Sequence, residues 1–499
     1  MKEQIINYLP VWAVLLPLMA TIPLYFIEQK SAKIRDWFAI VVAALTFGLV
    51  AAMYPTIKAG EVIFIEFPRI FPPFGMSFRV DVLGFTLALI SSFIWLLCVI
   101  YSKEYMCHEH ACNRYYPFLL LSLGGCIGVV LTGDLFSLFL FFELMSLASY
   151  VLVVHEETPA AMQAGYKYLM LTLVGGLALF FGIVITYELL GTVSFHNSAF
   201  FEGASGLVFT AFIAYLIGFG MKMGIFPLHV WLPDAHPVAP SPASALLSGI
   251  MLKTGAYGLL RVVYQFFGIE LLTKVGWHHI LLVLAGITIF LGSAVAIAQT
   301  DLKRRLAYSS IGQMGYILLG IALLNENALI GDIFHIFSHA IMKSTLFMAA
   351  GIIILKTGKR KISELKGIGK EMPITMFCFT LAALAMIGIP PLNGYVSKIF
   401  LSIGALDAGQ SVYVLLLIIS SLMNGVYYLP IIVAAFFGKE EGEHEHSEVK
   451  YSPLFKEASL YMLIPMLVLA FFTIVFGLLP SNFALELSEM AAKMLLGRG

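Results

Sequence analysis

Gly224-Ile225-Phe226-Pro227-Leu228 interrupts a hydrophobic run from 205 to 228, and the same pattern returns as Gly388-Ile389-Pro390-Pro391-Leu392 inside the run from 373 to 404. Proline lacks a backbone donor and clashes with the preceding turn, so a helix breaks or kinks at each copy. Broken backbone at membrane depth survives only where protein buries it or a wet cavity meets it. The competing reading is that the prolines merely end a helix at the surface. The copies stand 164 residues apart, from 224 to 388, with five predicted helices between them. An odd number of crossings turns the second copy over, which is the signature of an inverted repeat.

Outward from these breaks the chain is oil-soluble. Of its 499 residues, 60% are hydrophobic and 12% charged, a composition that describes a polytopic membrane protein and excludes an ordinary soluble enzyme. About fourteen runs reach the length of roughly 20 apolar residues that a transmembrane helix needs. The predicted fold is therefore all-α, with two inverted five-helix repeats. Residues 1–113 are expected to hold helices one to three, 114–270 helices four to eight, and 271–440 helices nine to thirteen. Residues 441–499 are expected to hold a hydrophilic loop, a last helix and an amphipathic tail. The broken helices are the seventh, at Pro227 and Pro233, and the twelfth, at Pro390 and Pro391. The first run lacks a small-residue cleavage site and is expected to be a retained helix.

Eighteen of the 30 Lys and Arg residues fall in loops after odd-numbered predicted helices, and eight, Arg261 among them, in even-numbered loops and the termini. Positively charged short loops stay cytoplasmic, which places both termini outside a cell membrane. The remaining four are Lys222, Lys253, Lys343 and Lys398, all inside predicted spans. Net charge is zero, which argues against nucleic-acid binding. Five scattered cysteines suggest no disulfide framework, and no nucleotide loop, iron–sulfur cysteine cluster or haem motif is seen, so no cofactor is expected.

The intramembrane charges are the candidate functional residues. Glu143 lies in Phe136-Ser137-Leu138-Phe139-Leu140-Phe141-Phe142-Glu143-Leu144-Met145-Ser146, where ionisation costs several kcal/mol unless a cation or water lies beside it. Lys222 precedes the Pro227 break, and Lys253 is mid-span in a glycine-rich helix where snorkelling is difficult. His335, His339 and Lys343 recur every four residues on one helical face. With no acidic or thiol ligand noted nearby, that stripe reads as a ladder for protons, with a metal pair or plain interhelical hydrogen bonding as alternatives. Lys398 follows the second break, so the two halves do not carry their lysines at equivalent positions.

Other features have milder readings. Asp81 reads as a solvated carboxylate near a membrane end, and Lys167 as a residue snorkelling to water. Cys107-His108-Glu109-His110-Ala111-Cys112 invites a zinc reading, but its ligands are crowded into six residues, whereas structural zinc sites spread two pairs over a dozen or more; no metal is assigned. The acidic, His-containing stretch 439–446 reads as a solvated loop, and the amphipathic 482–496 as lying on the membrane surface or on a partner.

Together the Glu143 segment, the stretch from Lys222 through Phe226-Pro227-Leu228-His229-Val230-Trp231-Leu232-Pro233-Asp234-Ala235-His236, the helix face of His335, His339 and Lys343, and the Gly388–Gly394 break resemble the proton-conducting antiporter-like subunits of complex I and of Mrp-type cation/proton antiporters. The resemblance covers roughly residues 75 to 430. Lys398 is similar to the D-type member of Mrp antiporters and its hydrogenase relatives rather than to complex I subunits that use Glu there. The resemblance implies a proton-translocating subunit of a multisubunit Na+/H+ antiporter or, alternatively, of a complex I-type oxidoreductase or energy-converting hydrogenase. It also implies a hydrated axis parallel to the membrane. On that axis Glu143 pairs with Lys222, Lys253 continues the path, His335, His339 and Lys343 bridge the halves, and Lys398 gates the second half-channel. The implied partners are other membrane subunits, lipid, H+ and Na+.

Overall fold

A computed structural model describes residues 2–28, 31–68, 70–196, 199–438 and 457–497; the solvated loop expected at 439–446 lies outside them. Hydrocarbon offers no partners for backbone N–H and C=O, so the chain satisfies them within helices. Among the described residues, twelve helices are long and apolar enough to cross a bilayer. Two other expected spans take different forms. The run near 302–324 is the helix Leu302–Ala322, which opens on Lys303, Arg304 and Arg305, and the run 373–404 divides into Pro373–Ile387 and Asn393–Asp407. One feature departs from the all-α expectation: Ile63–Phe67 and Met76–Val80 form a small antiparallel hairpin.

The long helix Glu326–Thr357 is the hub, with every residue from Ala328 to Ile353 buried. Pro159–Leu190 and Ser411–Phe437 instead turn large apolar side chains outward, Leu177 and Leu422 among them, as a lipid- or subunit-facing surface does. The amphipathic tail forms Ala484–Leu495, and its apolar face packs on Val82–Tyr105 and Glu326–Thr357 of this same chain. That corrects the expected membrane-surface or partner location: the apolar stripe is covered from within.

Local structure recurs at a constant offset. Asp134 bridges Ser194 and Asp301 bridges Lys361, so both partners move by 167 residues, from 134 to 301 and from 194 to 361. The same shift relates the helix caps Thr158 and Asn325, each of which accepts a backbone N–H from the third residue of its helix. It also relates Gly191 and Gly358, which end two helices of 32 residues in the left-handed conformation.

The two breaks share one geometry. Gly224, at φ 70°, donates to Gly220 O and Met221 O, and Ile225 N donates to Gly220 O. Gly388, at φ 94°, donates to Leu384 O and Ala385 O, and Ile389 N donates to Leu384 O. Only glycine takes this left-handed cap without a Cβ penalty, so the glycine ends each helix before the prolines are reached. Pro227, Pro390 and Pro391 then occupy the unwound segments, with cis bonds at Phe226–Pro227 and Pro390–Pro391. Pro233 is corrected: it sits in the first turn of Leu232–Val238, where its missing donor costs nothing, and so it starts a helix rather than breaking one.

Asp81 is also corrected. It is 1% exposed, caps Gly84 N at 3.0 Å and receives two hydrogen bonds of 2.7 Å from the Arg261 guanidinium, which is itself 0% exposed. Arg261 is therefore not a loop residue, since a buried carboxylate needs its own cation. Arg79 adds a second contact to Asp81 at 3.2 Å.

Candidate proton path

The two helix-break lysines use their ammonium groups differently. Lys222 lies in the last turn of Gly206–Met223, and its Nζ donates to Ser146 Oγ at 2.9 Å and Tyr168 Oη at 2.7 Å. Lys398 lies beyond the second break, and its Nζ reaches back to Met386 O at 2.9 Å and Ile387 O at 2.8 Å, the last carbonyls of Pro373–Ile387. Unpaired carbonyls and the negative end of the helix dipole favour a cation at such a place. The lysines that differ in sequence position thus also differ in partners: Lys222 is held by hydroxyls and Lys398 chiefly by helix-end carbonyls. Ser421 Oγ gives Lys398 a third acceptor at 2.9 Å.

Between them, Lys253 and Lys343 are joined through serines. Lys253 follows a widened π-type turn, Leu247–Met251, and its Nζ donates to Ser248 O at 2.5 Å. Ser248 Oγ meets Ser310 Oγ at 2.7 Å. On the neighbouring Ser309, the hydroxyl accepts from Lys343 Nζ, which also donates to Leu306 O at 2.9 Å. Tyr428 Oη, 2.9 Å from Ser309 Oγ, closes the group. Each hydrogen bond to a charged group contributes about 1.5–3 kcal/mol, so the ammonium groups are held without a carboxylate partner.

The histidine ladder stands as a stacked pair. The His335 and His339 rings are nearly parallel, at 4° with centroids 5.7 Å apart. Ser397 Oγ lies 2.9 Å from His335 Nδ1, one residue from Lys398. Nε2 of His335 and both ring nitrogens of His339 are buried without a protein partner. The ladder is not free of acids: Asp332, one turn before His335, is fully buried.

Glu143 makes no ion pair within 4.0 Å among the described residues, so the implied contact with Lys222 is not closed; the Lys222 ammonium is turned to Ser146 and Tyr168 and stays within electrostatic reach of the carboxyl. That carboxyl fills the space left by Gly176, where a Cβ would stand 2.7 Å from Glu143 Cδ, and its Oε1 is buried without a partner. The 167-residue shift carries Gly176 onto Lys343 and Glu143 onto Ser310. The first segment thus holds a carboxyl over glycine, and in the shifted one the lysine at the glycine position bonds Leu306 O and Ser309, next to the serine at the carboxyl position.

Residues 132–424 match the family described as "NADH:quinone oxidoreductase/Mrp antiporter, TM", and residues 73–116 match "NADH-Ubiquinone oxidoreductase (complex I), chain 5 N-terminus". The chain belongs to this antiporter-like family. It is 34% identical to NADH-quinone oxidoreductase subunit N of Desulforudis audaxviator, over 94% of this chain and 96% of that one. It is 30% identical to the D-type component of the Na(+)/H(+) antiporter of Alkalihalophilus pseudofirmus, over 81% and 80%. In structure it is similar to a chain of the Mrp complex of Dietzia sp. DQ12-45-1b, with TM-score 0.86, 24% identity and coverage of 99% and 98%. It is a multi-pass membrane subunit of the antiporter-like type.

For an antiporter-like subunit the sequence names the charged groups but passes over the polar side chains that hold them. Ser146, Tyr168, Ser248, Ser309, Ser397 and Ser421 are ordinary helix residues whose role only the fold reveals. His236 likewise carries no sequence signal of its own: it is 0% exposed, stacks on Phe347 at 4.7 Å, and lies within electrostatic reach of Lys253, Lys303 and Lys343. Lys167 pairs with Asp234 at a partly exposed site rather than standing alone in water. The stretch from Cys107 to Cys112 does not bring its own six residues together around one point, but Glu109 and His110 join Glu156 in a group whose ligand atoms lie within 4.8 Å of one another and could hold a metal ion. Cys107 Sγ turns to Lys103 O and Cys112 Sγ to Met106 O, while Glu109 and His110 meet Glu156. In this loop burial, then the charge of Glu156 and a hydrogen bond to it, push the Glu109 carboxyl up to about 7.

Proposed function

We propose that the chain carries protons as the D-type subunit of an Mrp-type Na+/H+ antiporter in the cell membrane, with both termini outside. The observation that carries this reading is the run of buried ammonium and imidazole groups from Lys222 through Lys253, Lys343, His339 and His335 to Lys398. Each ammonium in it is held by hydroxyls or carbonyls rather than locked to a carboxylate. Such groups give up and take back a proton without breaking a strong ion pair. Buried polar atoms without protein partners at Glu143, His236, His335, His339 and Gln313 support water between the stations. In this reading residues 114–270 and 271–440 are the two inverted units, and Glu143, beside Gly176, modulates the Lys222 end.

The test is Na+-driven H+ movement in everted vesicles that contain the whole assembly. Lys222→Ala and Lys253→Ala are each expected to abolish it while the assembly stays intact. Full activity in both would make the chain a passive scaffold.

The NADH-quinone oxidoreductase relative, matched over nearly its whole length, favours a second reading: a proton-pumping subunit of a complex I-type oxidoreductase or energy-converting hydrogenase. Purification of the native assembly separates the two, since flavin- or iron–sulfur-containing subunits would accompany the chain only in the second.

A further inference from the structure

Asp332 is a buried acid that the path so far leaves unused and, unlike Asp81 and Asp134, it has no hydrogen-bond partner among the described residues. It is 0% exposed, and neither carboxyl oxygen has a protein partner. Its side chain fills the space left by Gly320 on the neighbouring helix, where a Cβ would stand 2.5 Å from Asp332 Cβ and 3.0 Å from its Cγ. An unpaired carboxyl in the middle of a membrane protein is expensive, and apolar residues would fill the space more cheaply.

Its position along the hub helix gives it a direction. Asp332, His335, His339 and Lys343 are spaced by three, four and four residues and so form one stripe on Glu326–Thr357. At 1.5 Å per residue the stripe rises roughly 16 Å, about half the hydrocarbon thickness, and it ends two turns from the helix start. That start opens on a polar cavity of about 280 Å³ lined by Thr273, His278, Asn325, Asp407 and Gln410. Ala322 and Leu323, in the wall of the same cavity, lie two and three residues from Gly320, which touches Asp332. The residue matched to Asp332 by the 167-residue shift is Gly165, packed against Val154 and Tyr150, so no carboxyl stands at that position.

We infer that Asp332 connects His335 to this cavity and makes the stripe a half-channel from the buried axis to the membrane face at Asn325. The inference rests on the proton-path reading above. In the transfer, the imidazolium of His335 gives its Nε2 proton to the Asp332 carboxylate and returns to neutral imidazole. The carboxylic acid then releases the proton to water in the cavity. His335 Nδ1 stays on Ser397 throughout, so one imidazole joins the Lys398 branch to the Asp332 branch.

The test uses the intact assembly in proteoliposomes and compares Asp332→Asn, Asp332→Glu and Lys222→Ala. Asp332→Asn keeps size and shape, so the subunit folds, and proton movement is expected to fall by about a hundredfold, as for loss of a proton-transfer group. Asp332→Glu is expected to restore most of it, which a purely packing role would not produce. Infrared difference spectra on a pH jump should contain a carboxylic-acid band that Asp332→Asn removes. If Asp332→Asn keeps full transport while Lys222→Ala abolishes it, the half-channel is wrong and the axis stands. If Lys222→Ala also keeps full transport, the axis itself falls and the half-channel with it.

Discussion

Arg261 holds Asp81 through two hydrogen bonds of 2.7 Å, across 180 residues of sequence and with both side chains removed from solvent. The pair ties the helix that begins at Val82 to the helix Leu252–Val262, which carries Lys253. Removing a member of a buried pair outright costs about 3–5 kcal/mol; here loss of Arg261 leaves Asp81 with Arg79 alone, at 3.2 Å, so the cost is a part of that. Arg261→Met is therefore expected to lower the melting temperature of the purified protein. The double change Arg261→Met with Asp81→Leu is expected to lose less than Arg261→Met alone. Thermal unfolding in detergent reads both.

Gly176 is expected to accept a methyl only by displacing the Glu143 carboxyl. A methyl there meets the Glu143 carboxyl from three atoms at once, whereas Gly48 has nothing within 4 Å. Gly176→Ala should move the carboxyl and reduce transport severalfold without loss of assembly, and Gly48→Ala should leave both unchanged. Unaltered transport in Gly176→Ala would show that the place of the carboxyl does not matter.

Tyr168 offers a finer probe of the Lys222 end. Its hydroxyl accepts from Lys222 Nζ and meets Ser149 Oγ at 2.7 Å. Tyr168→Phe keeps the ring and removes one of two acceptors, a loss of about 1.5–3 kcal/mol that corresponds to about ten- to hundredfold in rate if Lys222 must be charged in the slow step. Proton flux against pH in vesicles measures it, and the profile should shift as well as fall.

Glu109 supplies a pH dependence outside the membrane. Its carboxyl is pushed from the ordinary 4.5 up to about 7 by burial first and by Glu156 second, so between these values the folded chain binds more protons than the unfolded one. Its contribution to stability is therefore complete below pH 4.5 and is lost as pH rises through 7. Glu109→Gln should flatten the slope of melting temperature over that window. A slope identical to that of the unaltered protein would assign the pH dependence elsewhere.

The sequence reveals the membrane class, the two breaks and every intramembrane lysine, because each is a local contrast: a glycine before a proline, or a charge inside oil. Contacts made across the fold are not local and stay hidden. Asp81 looks like an interface carboxylate until Arg261 comes to it from 180 residues away. The tail shows its apolar stripe in sequence, yet nothing in that stripe says that Glu326–Thr357 will cover it. Pro233 resembles Pro227 as a residue type, but one opens a helix and the other follows a capped end. Asp332 is open to view in the sequence, but it stands three residues before His335 and so falls outside the spacing of four that marks the other members of the stripe.

The exchange at the Gly176 and Lys343 positions sets the two segments related by the 167-residue shift against each other. Matching shapes with matching charges would give two interchangeable modules, each indifferent to the direction of travel. Here the shifted pairs of helices meet differently, through a carboxyl on Gly176 in one and through the Lys343 amine on Leu306 O and Ser309 in the other. The segments are thus alike as mouldings and unlike as electrodes, a difference that symmetry alone would not provide.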